Sequence, residues 1–528
     1  MKKILLLLSA IFIFVSCSSY KFLGDPITIK AKDFNNELLN DNLKENWSLL
    51  DINSDKIPGM SVVKANNELI KNQKGKNVIV AVIDSGVETE HPYLSENIWN
   101  NSDEIPNNGI DDDQNGYVDD INGWNFLGES NKENLEYVRL YKKTNKEDPL
   151  SKVYKNEIEK AIAKNNETIN RIQQLSMMLF KSDSLIASAI GKDDYSLEEA
   201  KNISPKSVKM DESLRFLNFA KANNWTRQGF LEAIEYYKSS NDFHNNVDFN
   251  GRGVVGDNPD DFNDRDYGDS NVSDRHKHGT HVSGIVVSVS NSAVIMPIRC
   301  VPDGDEYDKD VALSIRYAVD NGAKIINFSF GKKYSPNSEW VTDAMEYAFE
   351  KDVLIVNAAG NDSNDIDSDL NETYPTDQVD GKEFLNNVIT VGATSYSYDS
   401  KQIANFSNYG LNNVDLFAPG YQIYSSVLDG KFEYLNGTSM AAPNVTGVAV
   451  VLRSFYPKLS ASSIKKIIME SGIEMYESLN KPNSEDVYSP KTFSKSGKTV
   501  NLYNALLLAS DYNENDPSGS IRRFKSRF

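Results

Sequence analysis

Cysteine is almost absent from this chain of 528 residues, which contains only Cys17 and Cys300. Two thiols are too few for a disulfide framework, and Cys300 lies in an apolar stretch that predicts a buried structural thiol. Long hydrophobic runs are also missing, since the apolar run at 4–15 is too short to span a bilayer comfortably. Basic residues are scarce too, with 56 Lys and Arg against 76 Asp and Glu, a formal net charge of −20. That balance argues against a nucleic-acid partner, because phosphate binding needs clustered Lys and Arg.

The amino-terminal residues have the order of a secretory signal. Lys2 and Lys3 precede the apolar run, and the small residue Ser16 comes before Cys17. The segment 14–17 resembles a bacterial lipoprotein cleavage site, which implies cleavage before Cys17 and a diacylglyceryl group on its thiol. An ordinary secretory signal with a chance cysteine is the alternative. We therefore expect an exported protein of the bacterial cell envelope, anchored through Cys17 to a membrane such as the outer membrane or the cell surface.

The rest of the chain reads as one large domain with attachments. Residues 17–58 are polar and lack a strong period, which predicts an amino-terminal tether plus the edge of the next domain. In the main domain, 59–512, short apolar runs alternate with helical patterns. The runs lie at 78–83, 324–328, 353–356 and 387–391. Runs that are apolar on both faces are typical of buried parallel strands, so the pattern predicts a parallel α/β sandwich.

A charged, glycine-poor segment at about 131–240 interrupts this alternation. Its apolar residues recur at helical spacing, as at Ile158, Ile162 and Ile169. We interpret it as a helical insertion, such as an antiparallel hairpin that lies against the main domain. Whether it is a solvated spacer or a regulatory or substrate-gating element stays open. The last residues, 513–528, are basic and predict a flexible tail.

Three short motifs hold the residue types that nucleophilic hydrolysis needs. Asp84 ends the run at 78–83, at the edge where parallel sheets form sites. His278 opens His-Gly-Thr-His-Val-Ser-Gly before an apolar run, which predicts the exposed start of a helix. Ser439 lies in Gly-Thr-Ser-Met-Ala-Ala-Pro at another helix start, where its own N–H can face an oxyanion. Each motif is weak evidence alone. The Asp84 and Ser439 motifs are common in turns and helix caps, and His278 with His281 could bind a metal.

Together, and in this order, the three motifs closely resemble those of the subtilisin-like serine protease family. The resemblance covers about residues 60–510 apart from the insertion, and it implies a subtilisin-like three-layer sandwich. It also implies a serine endopeptidase with an acyl-enzyme on Ser439, His278 as general base, Asp84 orienting it, and no cofactor for catalysis. A catalytically silent peptide-binding lipoprotein and a peptide ligase or macrocyclase are the competing hypotheses.

The same resemblance implies further site residues. Asn361, in Asn-Ala-Ala-Gly-Asn, is similar to the side-chain donor to the oxyanion. The implied substrate-binding residues are Ser329, Phe330 and Gly331 on an edge that pairs with an extended peptide, and Ala358, Ala359 and Gly360 in the wall of the primary specificity pocket. Lys332 and Lys333 make this edge unusually basic, whereas His91 and His281 are expected to be structural. We expect peptide or protein substrates bound as an extended strand, and a monomer.

In an acidic loop at 108–120, residues that can offer an oxygen ligand stand at every second position. The places 1, 3, 5, 7 and 9 of an EF-hand-like loop are taken by Asp111, Asp113, Asn115, the carbonyl of Tyr117 and Asp119. Place 12 is Asn122 instead of a bidentate glutamate, so the match is incomplete. We expect a structural calcium ion in this loop. An Asx-rich turn without an ion is the alternative.

Overall fold

A computed structural model of the chain describes residues 20–30, 34, 41–223, 225–379 and 381–528. The predicted signal, its cleavage site and Cys17 lie outside these residues. The α-helices of the described residues are α1 Asp41–Asn46, α2 Val62–Ala65, α3 Glu136–Lys143, α4 Pro149–Ile190, α5 Leu197–Lys201, α6 Val208–Ala222, α7 Arg227–Ser239, α8 His278–Val289, α9 Asp308–Asp320, α10 Ser338–Glu350, α11 Thr438–Phe455, α12 Ala461–Ser471, α13 Leu502–Ser510 and α14 Pro517–Lys525.

The strands include short pairs as well as the longer runs that the sequence indicates. They are β1 Val78–Asp84, β2 Trp124–Asn125, β3 Ala293–Arg299, β4 Ile325–Phe328, β5 Leu354–Ala358, β6 Gln378–Val379, β7 Lys382–Glu383, β8 Val388–Thr394, β9 Leu416–Pro419, β10 Ile423–Val427, β11 Lys431–Leu435, β12 Ile473–Glu474, β13 Leu479–Asn480, β14 Val487–Tyr488 and β15 Lys498–Thr499.

One sheet of nine strands forms the centre of the domain, in the order β12-β15-β9-β8-β5-β4-β1-β3-β2. Neighbouring strands are parallel except β12 and β15, which are antiparallel. Because successive side chains point to opposite faces, Val80 and Val82 join one core and Ala81 and Ile83 the other. Helices α8 and α11 belong to the first core, and α9 and α10 to the second. The predicted α/β sandwich with a parallel central sheet is confirmed.

The segment that interrupts the sequence pattern is helical, from α3 to α7. Its longest member, α4, has 42 residues, and both α6 and α7 pack against it. The guanidinium of Arg227, at the start of α7, lies over the ring of Phe180. Ser240, just after its end, accepts a hydrogen bond from Asn165. Helices α4 and α7 are therefore antiparallel, as the hairpin interpretation predicts.

In its described part, the predicted tether at 17–58 contributes side chains to the main core and so belongs to the domain to a greater extent than a tether with a domain edge implies. Phe22, Trp47 and Ile57 are buried. The ring of Phe22 lies 5.6 Å from that of Phe455 in α11, in an edge-on arrangement. These apolar residues are scattered through a polar segment without the period of a helix or strand. Their burial depends on the surface that the rest of the domain offers, which local pattern does not reveal.

The predicted flexible tail at 513–528 is also different in the structure. Residues Pro517–Lys525 form α14, and the side chain of Asp516 caps its amino terminus. Ile521 and Phe524, three residues apart on one face, are buried. The basic residues between and after them mask this short apolar face in the sequence, which is why composition alone favoured a mobile tail.

Candidate active site

Asp84 is the last residue of β1, and its carboxylate meets the first residue of α8. Its Oδ1 lies 2.7 Å from Nδ1 of His278 and accepts a hydrogen bond of 2.7 Å from the N–H of Ser85. Gly279 permits this close approach, because a Cβ there would lie 2.0 Å from the carbonyl oxygen of Gly86. With Nδ1 bound to a carboxylate, Nε2 is the ring nitrogen left to take up a proton.

The same contact controls the proton affinity of His278. Burial alone lowers the pKa of an imidazole, because it disfavours the charged form. Here the charge and the hydrogen bond of Asp84, helped by the charge of Asp274, outweigh burial and raise the pKa of His278. The site therefore stabilises an imidazolium, which a general base has to become during the reaction.

Ser439 lies in the first turn of α11, where N–H groups have no partner within the helix. Its hydroxyl donates to the carbonyl oxygen of Ser329 at 3.0 Å, and the hydroxyl of Ser329 donates to the carbonyl oxygen of Ser439 at 2.9 Å. This reciprocal pair fixes the start of α11 against the residue that follows β4. The half-buried Ser439 side chain remains open to the cavity described below.

Asn361 is oriented by the residue that precedes Ser439. Its Oδ1 accepts hydrogen bonds from the N–H of Thr438 at 2.8 Å and from the Thr438 hydroxyl at 3.0 Å. The Nδ2 group is therefore the part of the amide left for another acceptor. A Cβ added to Gly437 would lie 3.5 Å from the nitrogen of Ser439 and 3.6 Å from Asn361 Nδ2. Both donors thus flank the same small space, as an oxyanion site requires.

The two predicted substrate segments lie side by side, because they follow the adjacent parallel strands β4 and β5. A cavity of about 540 Å³ runs between them and reaches Ser439 and Asn361. All six predicted substrate-binding residues line it, namely Ser329, Phe330, Gly331, Ala358, Ala359 and Gly360. The lining also contains Leu135 and Tyr137 from the insertion. A cavity of this size can hold several residues of an extended peptide.

The two histidines expected to be structural are both buried and contact β11. Nε2 of His281 lies 3.1 Å from the carbonyl oxygen of Glu433, and burial lowers the pKa of His281 to about 4. Nε2 of His91 lies 3.2 Å from the carbonyl oxygen of Lys431. In the described structure, His281 is thus neutral and bonded to backbone, as a packing residue would be.

The acidic loop brings three carboxylates together. Glu104, Asp111 and Asp113 each place an oxygen within 4.8 Å of the other two. Such a set of hard oxygen donors fits calcium, which takes carboxylate and carbonyl oxygens in flexible geometry. Two of the three residues are those that the sequence predicts, and Glu104 is new. It lies outside the repeating loop pattern, so its approach depends on how the chain folds back.

The remaining predicted ligands are used differently in this conformation. The carboxylate of Asp119 accepts hydrogen bonds from the N–H groups of Asn108 at 3.0 Å and Gly109 at 2.9 Å. The side-chain oxygen of Asn115 accepts from the N–H of Tyr117 at 2.8 Å. The Asn115 contact is an Asx turn, whereas the Asp119 contacts close the loop between residues 11 and 10 positions apart. The cluster formed by the carboxylates of Glu104, Asp111 and Asp113 therefore differs from the ligand arrangement of an EF-hand.

Sequence reasoning also missed residues that shape the cavity. Thr438 orients Asn361, and its only signal was its place within the Gly-Thr-Ser motif. Leu135 and Tyr137 carried no signal, because they lie at the start of an insertion whose pattern indicates only amphipathic helices. Their position in the cleft follows from tertiary contacts.

Comparison with known proteins identifies the family. A model described as the subtilase family matches residues 75–495, which is most of the chain. The chain therefore belongs to the subtilase family, and its parallel sheet with helices on both faces is the α/β fold expected of it. The thermophilic serine proteinase of Bacillus sp. (strain AK1) is 33% identical over 257 residues, 47% of this chain and 55% of that protein. Thermitase of Thermoactinomyces vulgaris is 35% identical over 211 residues, 38% of this chain and 68% of that protein.

The match to full-length relatives is partial. The chain spans about half the length of the Bacillus sp. proteinase, 55%, and 24% of the cell wall-associated protease of Bacillus subtilis (strain 168), to which it is 34% identical over 231 residues. Among solved structures, a cold adapted subtilisin-like serine proteinase is 28% identical, with a TM-score of 0.35 over 45% of this chain and 78% of the other.

The electrostatics of the site lead to a first prediction. Replacing Asp84 by Asn removes the charge that opposes burial, so we expect Asp84→Asn to lower the pKa of His278. Titration of the imidazole signals by NMR measures this shift, with the His278 signal assigned by its loss in His278→Gln. Asp343→Asn, which removes an exposed carboxylate paired with Arg316, is the control and should leave the pKa in place. An equal pKa of His278 in the parent and Asp84→Asn would contradict the electrostatic account.

Proposed function

We propose that the chain is a serine endopeptidase that hydrolyses peptide bonds through an acyl-enzyme intermediate on Ser439. In this proposal His278 is the general base, Asp84 orients it and Asn361 stabilises the oxyanion. The observation that carries the proposal is the contact of 2.7 Å between Asp84 Oδ1 and His278 Nδ1. It is supported by a cavity that Ser439 and Asn361 line together, and by serine proteinases among the relatives.

In the proposed reaction, His278 carries the proton of the Ser439 hydroxyl to the leaving group. The Ser439 hydroxyl exchanges its present acceptor, the carbonyl of Ser329, for Nε2 of His278. As Oγ bonds to the scissile carbonyl carbon, the proton moves to Nε2, and the negative oxygen accepts hydrogen bonds from the Asn361 amide and the Ser439 N–H. When the C–N bond breaks, His278 gives the proton to the leaving amine. Water then attacks the acyl-enzyme, and His278 takes the water proton and passes it to Ser439 Oγ as the carboxylic acid product leaves. Asp84 stays ionised throughout.

The proposed substrates are peptides or proteins bound as an extended strand. Residues 329–331 line the cavity as the proposed edge for the peptide backbone. The backbone of 358–360 is bonded within the protein, to Val391, Thr438 and Asn408, and is proposed as a pocket wall. Main-chain hydrogen bonds to an edge give affinity without sequence preference, and the pocket selects side chains. In this proposal catalysis needs no cofactor, the enzyme acts as a monomer, and its net charge of −20 disfavours nucleic acid.

Two other functions would use the same fold. A silent peptide binder would keep the cleft and lose at least one catalytic group, whereas candidates for all four groups are present here. A ligase or macrocyclase would transfer the acyl group to an amine and needs water to be excluded. The half-buried Ser439 is open to solvent, which favours water as the acceptor.

Ser439 gives the direct test of this function. We expect a fluorophosphonate probe to label the purified protein, and Ser439→Ala to lose labelling and about 10⁶-fold in kcat on an internally quenched peptide. Asn361→Ala should label slowly and lose about 10²- to 10³-fold in kcat. Equal labelling of the parent and Ser439→Ala would sink the proposal. Products are identified by mass with a second free amine present, so that a ligated product would instead indicate the ligase.

We also propose that the acidic loop binds a structural calcium ion. Glu104, Asp111 and Asp113 would hold it, and the ion would neutralise three carboxylates that otherwise repel one another. Asp120 lies beside this group, because the Asn101 amide donates hydrogen bonds both to Asp113 at 3.0 Å and to Asp120 at 2.8 Å, so the proposed ion would have a fourth carboxylate nearby. Bound calcium would act on stability and take no part in catalysis.

The calcium site predicts a change in thermal stability. We expect chelation to lower the Tm of the parent, because a ligand at about 100 times its Kd stabilises by about 2.7 kcal/mol. Asp113→Ala and Glu104→Gln should start with a lower Tm in calcium and respond little to chelation. Asp103→Asn, an exposed neighbour outside the group, serves as the control that keeps the response. The same calcium response in all four proteins would exclude this site.

The anchor proposed at Cys17 rests on the sequence of the signal. Among the described residues, none of the helices is both long and apolar enough to cross a membrane. We propose export to the bacterial cell envelope and attachment of a diacylglyceryl group to the Cys17 thiol, which would hold the enzyme at a membrane surface.

Detergent phase partitioning tests the anchor. The parent, expressed with its signal, is expected in the detergent phase because acyl chains add roughly 0.8 kcal/mol per buried methylene. Cys17→Ser should move to the aqueous phase, and Cys300→Ser, the other cysteine, should stay with the parent. Mass spectrometry of the amino-terminal peptide then identifies the lipid. An unmodified Cys17 in the exported protein would contradict the proposal.

A further inference from the structure

Tyr20, where the described amino-terminal segment begins, lies at the far end of α11 from Ser439. The hydroxyl of Tyr456, one residue beyond α11, donates a hydrogen bond of 3.0 Å to the carbonyl oxygen of Tyr20. The rings of Tyr20 and Phe455, the last residue of α11, lie 4.9 Å apart in an edge-on arrangement. Ser439 is in the first turn of the same helix. The length of α11 thus separates the proposed nucleophile from the amino-terminal segment.

The rise of a helix converts this separation into a distance. An α-helix rises about 1.5 Å per residue, so the 16 steps from Ser439 to Phe455 cover about 24 Å. Cys17 is three positions before Tyr20, and three residues of any conformation span at most about 11 Å. The proposed lipid on Cys17 would therefore place a membrane at the end of α11 that is remote from the cleft.

Residues 21–24 link this end of α11 to the end of α14. The Lys21 ammonium lies 3.7 Å from a carboxylate oxygen of Asp511. The Arg527 guanidinium lies 3.8 Å from the other oxygen of the same carboxylate and donates a hydrogen bond to the carbonyl oxygen of Gly24. Two cationic side chains therefore share one carboxylate, which leaves positive charge in excess at this end of the domain.

The outer face of α14 adds to this positive charge. In a chain whose net charge is −20, the segment 521–528 has no acidic residue and four basic ones, namely Arg522, Arg523, Lys525 and Arg527. All four are exposed. Exposed ion pairs join Arg523 to Asp516 and Lys525 to Glu470, and such pairs are weak in water. The basic side chains of α14 can therefore exchange these partners for lipid phosphates.

Two large apolar side chains are exposed on the same surface. Leu23 is 77% exposed and Phe528 is 56% exposed. They adjoin Gly24 and Arg527, which are hydrogen-bonded to each other. Surfaces that bind anionic membranes combine apolar side chains, which enter the boundary between head groups and acyl chains, with Lys and Arg, which the negative head groups attract. The composition of this surface fits such a membrane.

We propose that this surface, the anchor face formed by 20–24, Tyr456 and α14, lies on an anionic phospholipid bilayer and directs the cleft away from it. The proposal rests on the lipid anchor proposed at Cys17 and adds the orientation in which that anchor holds the domain. Lys21 and the basic residues of α14 contact head groups, and Leu23 enters the boundary below them. Peptide bonds reach Ser439 about 24 Å or more from the bilayer, so the substrates are segments that project well away from the membrane.

Vesicle binding tests the charge of the anchor face without the lipid anchor. Exported Cys17→Ser is mixed at about 0.1 M salt, where the Debye length is about 10 Å, with vesicles of phosphatidylglycerol or phosphatidylcholine. Bound protein is then measured by flotation. Binding to phosphatidylglycerol should be the stronger. Adding Arg522→Gln and Arg523→Gln should weaken it about tenfold or more, because each basic residue near an anionic surface contributes roughly a fivefold factor.

Lys209→Gln with Arg215→Gln is the matched control, since it removes the same charge from exposed positions of α6 in the insertion. Added to Cys17→Ser, it should leave vesicle binding unchanged. Equal binding to the two lipids, including no binding to either, would overturn the anchor face. Equal losses in the two pairs of substitutions would also overturn it, because only the total charge would then matter.

Energy transfer tests the orientation in the lipidated protein. A dye on Lys458→Cys, an exposed position two residues after Tyr456, should transfer strongly to an acceptor lipid in the vesicle. A dye on Leu370→Cys, exposed at the cleft, should transfer weakly, because transfer falls steeply with distance. Cys300 is buried, so the introduced thiol is the one that reacts. Equal transfer from both dyes, or stronger transfer from the cleft, would overturn the orientation.

These outcomes are separable from those of the proposed function. Flotation and energy transfer need no catalysis, so absence of Ser439-dependent labelling would overturn the endopeptidase alone. An unmodified Cys17 in the exported protein would overturn the anchor, and with it the orientation. A lipidated Cys17 with equal transfer from the two dyes would overturn the orientation and leave the anchor in place.

Discussion

Parallel pairing of β1, β4 and β5 is the constraint on which the rest of the site depends. Parallel strands bring their carboxyl ends to one edge, so Asp84, Ser329 and Ala358 leave the sheet as neighbours. The helices α8 and α11 belong to the same core beside that sheet and begin at the same edge. His278 and Ser439 lie in their first turns. Asp84, His278 and Ser439 are thus all at the ends of elements, where backbone donors are unpaired and side chains can meet.

Buried charge has a second, more local role in this molecule. An ion pair in a protein interior contributes little net stability, because desolvation offsets attraction, but breaking one costs about 3–5 kcal/mol. The contact of Lys332 with Glu136 and Asp308 therefore does more to define one position for α3 than to stabilise the fold. A helix held only by apolar contacts could slide along the cleft. A helix held by a buried ammonium has one register.

The sequence predicts those elements and site residues that depend on a pattern of neighbouring residues. The strand before Asp84, the helices that start at His278 and Ser439, and the helical insertion all follow from periodicity or from motifs within a few residues. Glu104, Phe524 and Tyr137 could not be found in this way. The carboxylate of Glu104 approaches the acidic loop only after the chain turns back, and Phe524 is buried by a surface built from other elements. Tyr137 reaches the cleft because buried charges on three separate segments pull its helix there.

The position of the insertion also bears on the order in which the molecule assembles. Asp84 and His278 are 194 positions apart, and closing the loop between them costs conformational entropy, which grows slowly with loop length. The insertion has a small core of its own, formed by Ile186, Ala200, Met210, Leu214 and Leu217, so local contacts can order it first. We therefore expect the proposed base to meet its carboxylate after the intervening helices have formed. In the proposed function, the catalytic pair would then be completed when little of the chain's own unfolded backbone is left to cut.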